Sequence, residues 1–287
     1  MYMSKTLIVL GNGFDLDLGW KTSYSDFYNA KRKNFDLINR LPYIEEMMKG
    51  EYWYNLEGYI RRSILSLSED KIKMLNDFWV ACRNYLYEYF MLRPNLPNIY
   101  TTNKRGCAYA LLTAICNSSI ASFNYTNPFY LNELDEHEIL HVHGKLEDGV
   151  YKIKLGVDSH VKCKCEFSNE DRIKCMIKSN KNDNIYKFHS MLKKANNVII
   201  YGHSLGITDS DYFKSYFEDI ITGKIYDKNI YIVTYNEASL QDIVDNMEAY
   251  GIDYTKLISA NVNLIPIFTS NGKEDINFCH MMENVTL

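Results

Sequence analysis

Four short polar segments carry the side chains best suited to chemistry: residues 11–17, 124–127, 141–144 and 202–211. They supply carboxylates, amides, histidines and hydroxyl groups, and each follows a short apolar run of the kind that forms a buried strand. If those strands are parallel, their carboxyl ends meet at one edge of a sheet. We therefore expect the four segments to line a single cleft.

The first segment combines a Gly-x-Gly turn with two carboxylates. Gly11 and Gly13 lack Cβ atoms where the chain leaves the apolar run, which lets backbone N–H groups approach a phosphate. Asp15 and Asp17 would repel a bare pyrophosphate, so they suit ribose hydroxyls, a base or a reacting centre. Leu16 stands in place of the third glycine of the dinucleotide fingerprint, and a tight turn without a ligand is the alternative.

The third segment contains His141 and His143, which point to the same side of a regular strand. Because histidine titrates near neutral pH and Gly144 leaves room for a substrate, the functional interpretation is a catalytic base at His143. A buried, hydrogen-bonded histidine is the structural alternative. The sequence shows no third ligand beside the pair, so we expect no metal there.

A second group of metal-ligating side chains consists of His160, Cys163, Cys165 and Cys175. Its spacing lacks the paired C-x-x-C knuckles of a zinc ribbon, so we expect no zinc. The chain has seven cysteines, an odd number spread over its length. This pattern suits a reducing compartment better than a disulfide framework.

Residues 202–206, GHSLG, match the G-x-S-x-G pattern of a nucleophile elbow. A serine hydrolase acting through Ser204 is therefore an alternative. In an elbow the helix begins at the serine, whereas here Asp209 and Ser210 supply helix-capping side chains several residues later. His280 is the only histidine after Ser204, so it would have to complete the triad.

Charge and hydrophobicity exclude several functional classes of protein. The 287 residues carry a net charge of -4 and no basic run, which argues against a nucleic-acid platform. No apolar stretch approaches the ~20 residues of a membrane helix, and the N-terminus lacks a signal-peptide pattern. We expect a cytoplasmic protein that contacts neither membrane nor nucleic acid.

Hydrophobic patterns predict an α/β fold in which apolar runs alternate with amphipathic stretches. After the first run, the predicted strands are residues 120–125, 139–143, 198–201, 230–234 and 262–267, and the predicted helices are residues 185–195, 211–221 and 237–250. This alternation predicts a Rossmann-like, doubly wound, mostly parallel sheet in a single domain over residues 1–287.

Two stretches depart from the alternation. Residues 22–115 show helical periodicity, which predicts a helical insertion block after the first strand. Residues 157–184 are polar, rich in cysteine and lysine, and weakly periodic. They predict an insertion or a flexible loop.

Taken in order, five motifs resemble those of the AbiH-type abortive-infection proteins of bacteria. They are LGNGFDLDLGWKTSYSDF, WYNLE, SFNYTNPFY, HVHG with LGVD, and YGHSLGITDSDYF, and they span nearly the whole chain. These proteins are similar, more remotely, to sirtuin-like domains that bind NAD on a Rossmann-type sheet, including some that hydrolyse NAD in anti-phage defence. The resemblance implies NAD, or a related nucleotide, as substrate.

The same resemblance implies roles for individual residues. Asn124 matches the asparagine of the sirtuin T-x-N-x-D segment, and His143 matches the catalytic histidine before glycine. Thr126 stands where sirtuins have aspartate. The residues that the resemblance assigns to binding NAD are Gly11, Asn12, Gly13, Phe14, Asp17, Gly202, Ser204, Asp209 and Asp211.

The leading hypothesis is an anti-phage effector that hydrolyses the nicotinamide-ribose bond of NAD. Asn124 would orient the ribose or the attacking water, His143 would act as general base, and Asp15 would stabilise the cationic sugar. One alternative is a nucleotide-binding sensor or partner-binding module without hydrolysis. Another is a metal-dependent nuclease in which His141 and His143 hold the ion. The sequence leaves a phage-derived trigger and a homo-oligomer open.

Overall fold

The computed structural model describes residues 6–31, 55–66, 69–91, 100–134, 137–161, 167–178 and 183–286. Its strands are β1 Thr6–Leu10, β2 Ser119–Ser122, β3 Ile139–His141, β4 Asn197–Tyr201, β5 Asn229–Thr234 and β6 Asn263–Phe268. Its helices are α1 Asn12–Asp17, α2 Tyr24–Lys31, α3 Leu56–Ser66, α4 Glu69–Met91, α5 Cys107–Ala114, α6 Pro128–Leu131, α7 Phe167–Met176, α8 Asp183–Lys194, α9 Ser210–Ile221, α10 Glu237–Ala249, α11 Tyr254–Ile258 and α12 Ile276–Thr286.

The chain divides into two compact units. The first comprises Met1–Trp20, Tyr100–Val142 and Asp183–Leu287, and the second comprises Lys21–Ile99 and His143–Asn182. The first unit contains every strand named above, and the second contains helices α2, α3, α4 and α7. The organisation of residues 1–287 as one domain stays a prediction.

The sheet of the first unit has the strand order β3-β2-β1-β4-β5-β6, and all five neighbouring pairs are parallel. Each predicted strand after the first is present, within a few residues of its predicted bounds. Helices α8, α9 and α10 likewise coincide with the three predicted helices. The Rossmann-like, parallel α/β fold predicted from the sequence is therefore confirmed.

Strand β1 lies at the centre of this sheet and is covered on both faces. Leu7 and Val9 belong to one apolar cluster, and Ile8 and Leu10 belong to another. None of these four side chains is more than 1% exposed. Alternate residues of a strand point to opposite faces, so an unbroken apolar run is what a doubly covered strand requires.

The order of the strands creates a switch point between β1 and β4. From β1 the chain moves outward through β2 and β3, and it then returns to the other side of β1 to form β4, β5 and β6. In open parallel sheets, ligands bind outside the carboxyl ends of the strands at such a point. The segments after β1 and after β4 therefore occupy the position expected for a ligand.

The second unit is largely helical in its described part, as predicted for most of residues 22–115. Helices α2, α3 and α4 lie in that block, while residues 100–115 belong to the first unit and include α5. Inside the second unit, the Lys178 ammonium lies 2.8 Å from the Glu57 carboxylate, and Arg61 lies 2.6 Å from Asp158.

The structure corrects the interpretation of residues 157–184 as a loop, because α7 lies within them. This helix contacts α4 and buries Ile173 and Met176, which are three residues apart on one helical face. Six of the ten residues of this helix are polar, so its periodic signal is weak and the sequence pattern missed it. Among the described residues, no helix is both long enough and apolar enough to span a membrane.

Candidate functional site

The Gly-x-Gly turn after β1 packs directly against the start of the segment after β4. The Gly11 N–H donates to the Tyr201 carbonyl at 2.9 Å, and the Gly13 N–H donates to the Gly202 carbonyl at 2.8 Å. A Cβ at Gly11 would lie 2.5 Å from His203 Cα, and one at Gly13 would lie 2.7 Å from Gly202 Cα. The glycines therefore let the two loops touch.

This contact changes the interpretation of the turn. The sequence suggested that Gly11 and Gly13 present their N–H groups to a phosphate, but both groups donate to the chain's own carbonyl oxygens. Gly202 adopts a φ of +64°, and a Cβ there would lie 2.3 Å from the Phe14 nitrogen. Glycine is thus required at 202 both for its backbone conformation and for the close approach.

A buried network joins Asp15 to the segment after β2. The Asn124 side-chain amide donates to Asp15 Oδ1 at 2.9 Å, and the Thr126 hydroxyl donates to Asp15 Oδ2 at 2.6 Å. Asp15 is 1% exposed, Thr126 2% and Asn124 8%. Asp15, on α1, therefore accepts hydrogen bonds from two side chains of the segment that follows β2.

The network fixes the orientation of the Asn124 side chain. Its Nδ2 donates to the Gly11 carbonyl at 3.0 Å as well as to Asp15 Oδ1. Both partners are acceptors, so the amide nitrogen must face them and a flipped amide is excluded. The side-chain oxygen of Asn124 is therefore the polar atom at the other end of the amide, away from these two acceptors.

His141 and His143 belong to different compact units. His141 ends β3 in the first unit, and its Nδ1 lies 3.3 Å from the Asn124 carbonyl. Since a carbonyl only accepts, that nitrogen carries the proton. His143 belongs to the second unit, is 5% exposed, and accepts the Lys154 N–H at its backbone carbonyl. Its role as a base stays a prediction.

Asp17 has a different environment from Asp15. Its Oδ2 accepts the Tyr201 hydroxyl at 2.6 Å and the Ala108 N–H at 2.7 Å. The second bond caps α5, whose own N-cap residue, Gly106, has no side chain to do so. Burial, followed by the charge of Asp17, raises the pKa of the Tyr201 phenol well above its usual range, so this hydroxyl remains a donor.

A cavity of about 560 Å³ opens at the switch point, with walls from the segments that follow β1, β4 and β5. Of the residues predicted to bind NAD, it is lined by Gly13, Asp17, Gly202 and Ser204. Asn103, Thr234, Ser239 and Asp242 supply its other main polar groups. The lining includes two carboxylates and neither lysine nor arginine among the described residues, so it suits ribose hydroxyls or amino groups better than phosphates.

Several residues that the sequence predicted for the site are absent from the lining of this cavity. They are Asp15 and Asn124 in the buried network, Gly11, Asn12 and Phe14 in the turn after β1, and Asp209 and Asp211 after β4. Phe14 is fully buried and packs edge-on against the Tyr201 ring at 5.2 Å. The carbonyl of Asp211 lies 3.2 Å from His189 Nε2. The four predicted segments therefore do not all face one cleft.

Sequence reasoning missed His203, which lines the cavity between Gly202 and Ser204. Its Nδ1 accepts the Leu205 N–H at 2.9 Å, so the proton of the neutral ring is on Nε2. Nε2 in turn lies 3.6 Å from Asp209 Oδ2. The sequence did contain a signal for His203, because it is the residue between the glycine and the serine of G-x-S-x-G and follows a predicted strand.

The surroundings of Ser204 differ from a nucleophile elbow. Ser204 is exposed, the next residues form a single 3₁₀ turn at Ile207–Asp209, and α9 begins only at Ser210. His280 lies on α12, where its Nδ1 is 3.3 Å from the Tyr231 hydroxyl. The helix therefore starts six residues after the serine, whereas an elbow places it at the serine.

Metal-ligating side chains are scattered over the described ranges of the chain. Within these ranges, no group of three or more His, Cys, Asp or Glu residues is placed to hold a metal ion. Cys163 and Cys165 lie outside the described residues. The backbone N–H of His160 donates to the Asp158 carboxylate at 3.0 Å, and Cys175 is exposed.

Comparisons with known proteins assign the chain to a family. No curated protein and no solved structure is significantly similar to it. The family model described as bacteriophage abortive infection AbiH matches residues 7–231, which include β1 except its first residue, β2 to β4 and the first half of β5. The chain therefore belongs to the AbiH family of bacteriophage abortive infection proteins, and its role is anti-phage abortive infection.

Proposed function

We propose that this protein acts in abortive infection by hydrolysing the nicotinamide-ribose bond of NAD. The observation that carries the proposal is the cavity at the switch point between β1 and β4, where open parallel sheets bind nucleotides. The carboxylates of Asp17 and Asp242 in its lining are acceptors for ribose hydroxyls. The sirtuin-like motifs in the sequence supply the choice of NAD.

In the proposed reaction, the bond from ribose C1′ to the nicotinamide nitrogen breaks and a water oxygen bonds to C1′. Nicotinamide leaves with the bonding electron pair, and ADP-ribose is the second product. The sirtuin-like motifs of the sequence assign the hydrogen bond to the ribose or the water to Asn124 and the uptake of the water's proton to His143. Asp15 serves as a positioning residue, because both of its oxygens already hold Asn124 and Thr126.

The test is cellular NAD over the course of phage infection in bacteria that express the wild type, Asn124→Ala or His143→Ala. We expect NAD to fall with the wild type and to remain stable with either variant. Asn277→Ala is the matched control, because Asn277 is exposed on α12 and its backbone N–H, which the substitution keeps, donates to the Asp275 carboxylate. Thermal melts of the purified variants check that each one folds.

A second function, nucleotide binding without hydrolysis, is favoured by one observation. Asn124 and Asp15 are enclosed in their own network and do not line the cavity. This function predicts a nucleotide that co-purifies with the protein and remains chemically unchanged on incubation. Protection from phage while NAD stays constant would overturn hydrolysis and support this second function.

A further inference from the structure

The second unit contains a cavity of its own, of about 790 Å³. Its walls come from α4, from α7 with the residues that follow it, and from the segment 151–155. The Trp79 indole N–H donates to the Leu155 carbonyl at 2.7 Å, which ties α4 to that segment. The volume is in the range of small-molecule sites, roughly 300–1,000 Å³.

The charges in this cavity are unbalanced. Lys178 pairs with Glu57 at 2.8 Å, and Lys174 lies 3.4 Å from Asp171. Arg83 and Lys154 also line the cavity, and neither has a carboxylate partner among the described residues. Two cations without a counter-charge thus share one partly enclosed space.

The environment of Arg83 points to an anion. Its guanidinium lies 4.7 Å from the Trp79 ring centroid and 5.4 Å from that of Tyr151, so aromatic rings contact it. Its Nε is buried without a hydrogen-bond partner in the described part of the chain. A buried charged donor without an acceptor is costly, and a bound anion would remove that cost.

Electrostatic shifts agree with this geometry. Burial lowers the pKa of Lys154, and the nearby positive charges of Lys152 and Arg83 lower it further. Burial also lowers the pKa of Arg83. Desolvation disfavours the charged form of both side chains, and repulsion from neighbouring cations adds to it at Lys154. An anion beside the two side chains would favour their charged forms.

The rim of the cavity offers a flat apolar surface. Tyr151 is 82% exposed, and Arg83 contacts its ring. An exposed aromatic ring beside paired cations is the combination that binds a base together with its phosphate. We propose that this cavity binds a nucleoside phosphate, with the phosphate held by Arg83 and Lys154 and the base stacked on Tyr151.

The experiment is calorimetric titration of the purified full-length protein with ATP, inorganic pyrophosphate and adenosine at low salt. We expect ATP to bind most tightly, pyrophosphate more weakly and adenosine not detectably. Arg83→Gln and Lys154→Gln should each weaken ATP binding about tenfold or more, since each removes a charge-assisted hydrogen bond. Tyr151→Ala should weaken ATP binding and leave pyrophosphate binding unchanged.

Lys73→Gln is the matched control, because Lys73 is exposed on α4 and does not line the cavity. It should change ATP affinity less than twofold. Failure of both ATP and pyrophosphate to bind the folded wild type would overturn the proposal. ATP binding that neither Arg83→Gln nor Lys154→Gln weakens would also overturn it, since the nucleotide would then bind elsewhere.

Discussion

The two carboxylates of the first turn, Asp15 and Asp17, are two residues apart in sequence and have different surroundings. Asp15 is enclosed by Asn124 and Thr126, whereas Asp17 reaches the cavity while it holds Tyr201 and caps α5. Both lie on α1, and residues two apart on a helix do not share a face. The Asp15 carboxylate therefore holds neighbouring segments together, and the Asp17 carboxylate can also contact a ligand in the cavity.

The same contrast extends along the carboxyl edge of the sheet. Around Asp15, polar groups bond to one another and exclude water, so they set positions. Around the cavity, Ser204 and Asp242 are exposed and can meet a ligand. Substitutions of Asp15 and Thr126 should therefore affect stability, and substitutions in the open part should affect binding.

The largest expected effect is at the junction of the two loops. Gly202→Ala places a Cβ 2.3 Å from the Phe14 nitrogen in a backbone with a φ of +64°, so we expect a loss of about 3 kcal/mol or more. Gly223→Ala is the control, because Gly223 has a φ of +72° and no atom within 4 Å of the added Cβ. It should cost only about 1 kcal/mol.

Urea unfolding of the two variants separates the close approach from the backbone strain. Equal losses of unfolding free energy in the two variants would show that the close approach of Gly202 to Phe14 adds nothing to the backbone strain. The contrast between the enclosed and the open part would then depend only on the side-chain substitutions.

A smaller effect is expected inside the enclosed network. Thr126→Val keeps the shape of the side chain and removes the donor to Asp15 Oδ2, so we expect a loss of about 1–3 kcal/mol. Ser204→Ala, on the exposed loop of the cavity, should change stability by no more than about 0.5 kcal/mol. Similar values for the two in urea unfolding would contradict the division of the edge into an enclosed and an open part.

The smallest effect concerns Asp17, which belongs partly to both environments. Tyr201→Phe removes one of its two donors and leaves the Ala108 N–H, so we expect a loss of about 1 kcal/mol. Tyr226→Phe serves as the control, since Tyr226 is 60% exposed, and should be nearly neutral. Thermal melts of both variants measure the difference; no loss in Tyr201→Phe would mean that solvent replaces the phenol.

Much of the fold could be predicted from local pattern. The unbroken run at residues 7–10 predicted a strand covered on both faces, and the alternating runs predicted the parallel sheet. Helix α7 was missed, because six of its ten residues are polar and the periodic signal is weak. The WYNLE motif lies partly outside the described residues, which begin again at Asn55.

Less of the site could be predicted. The residue types at the strand ends were informative, and four of the residues assigned to NAD binding do line the cavity. The sequence did not show which of these side chains point into the cavity and which point into the protein interior. His203 and Asp242 join the cavity because β4 lies beside β1 and β5 lies beside β4, so the segments that follow these strands reach the same edge.

The sequence by itself determined the strands, the parallel sheet and the chemical types collected at its carboxyl edge, because hydrophobic period and turn residues act locally. Only the tertiary structure decided which groups are enclosed and which are exposed to a ligand. The N–H groups of Gly11 and Gly13 are satisfied by Tyr201 and Gly202, which are far away in sequence. Hydrogen-bond partners are set by the packing of distant segments, and no local pattern records that packing.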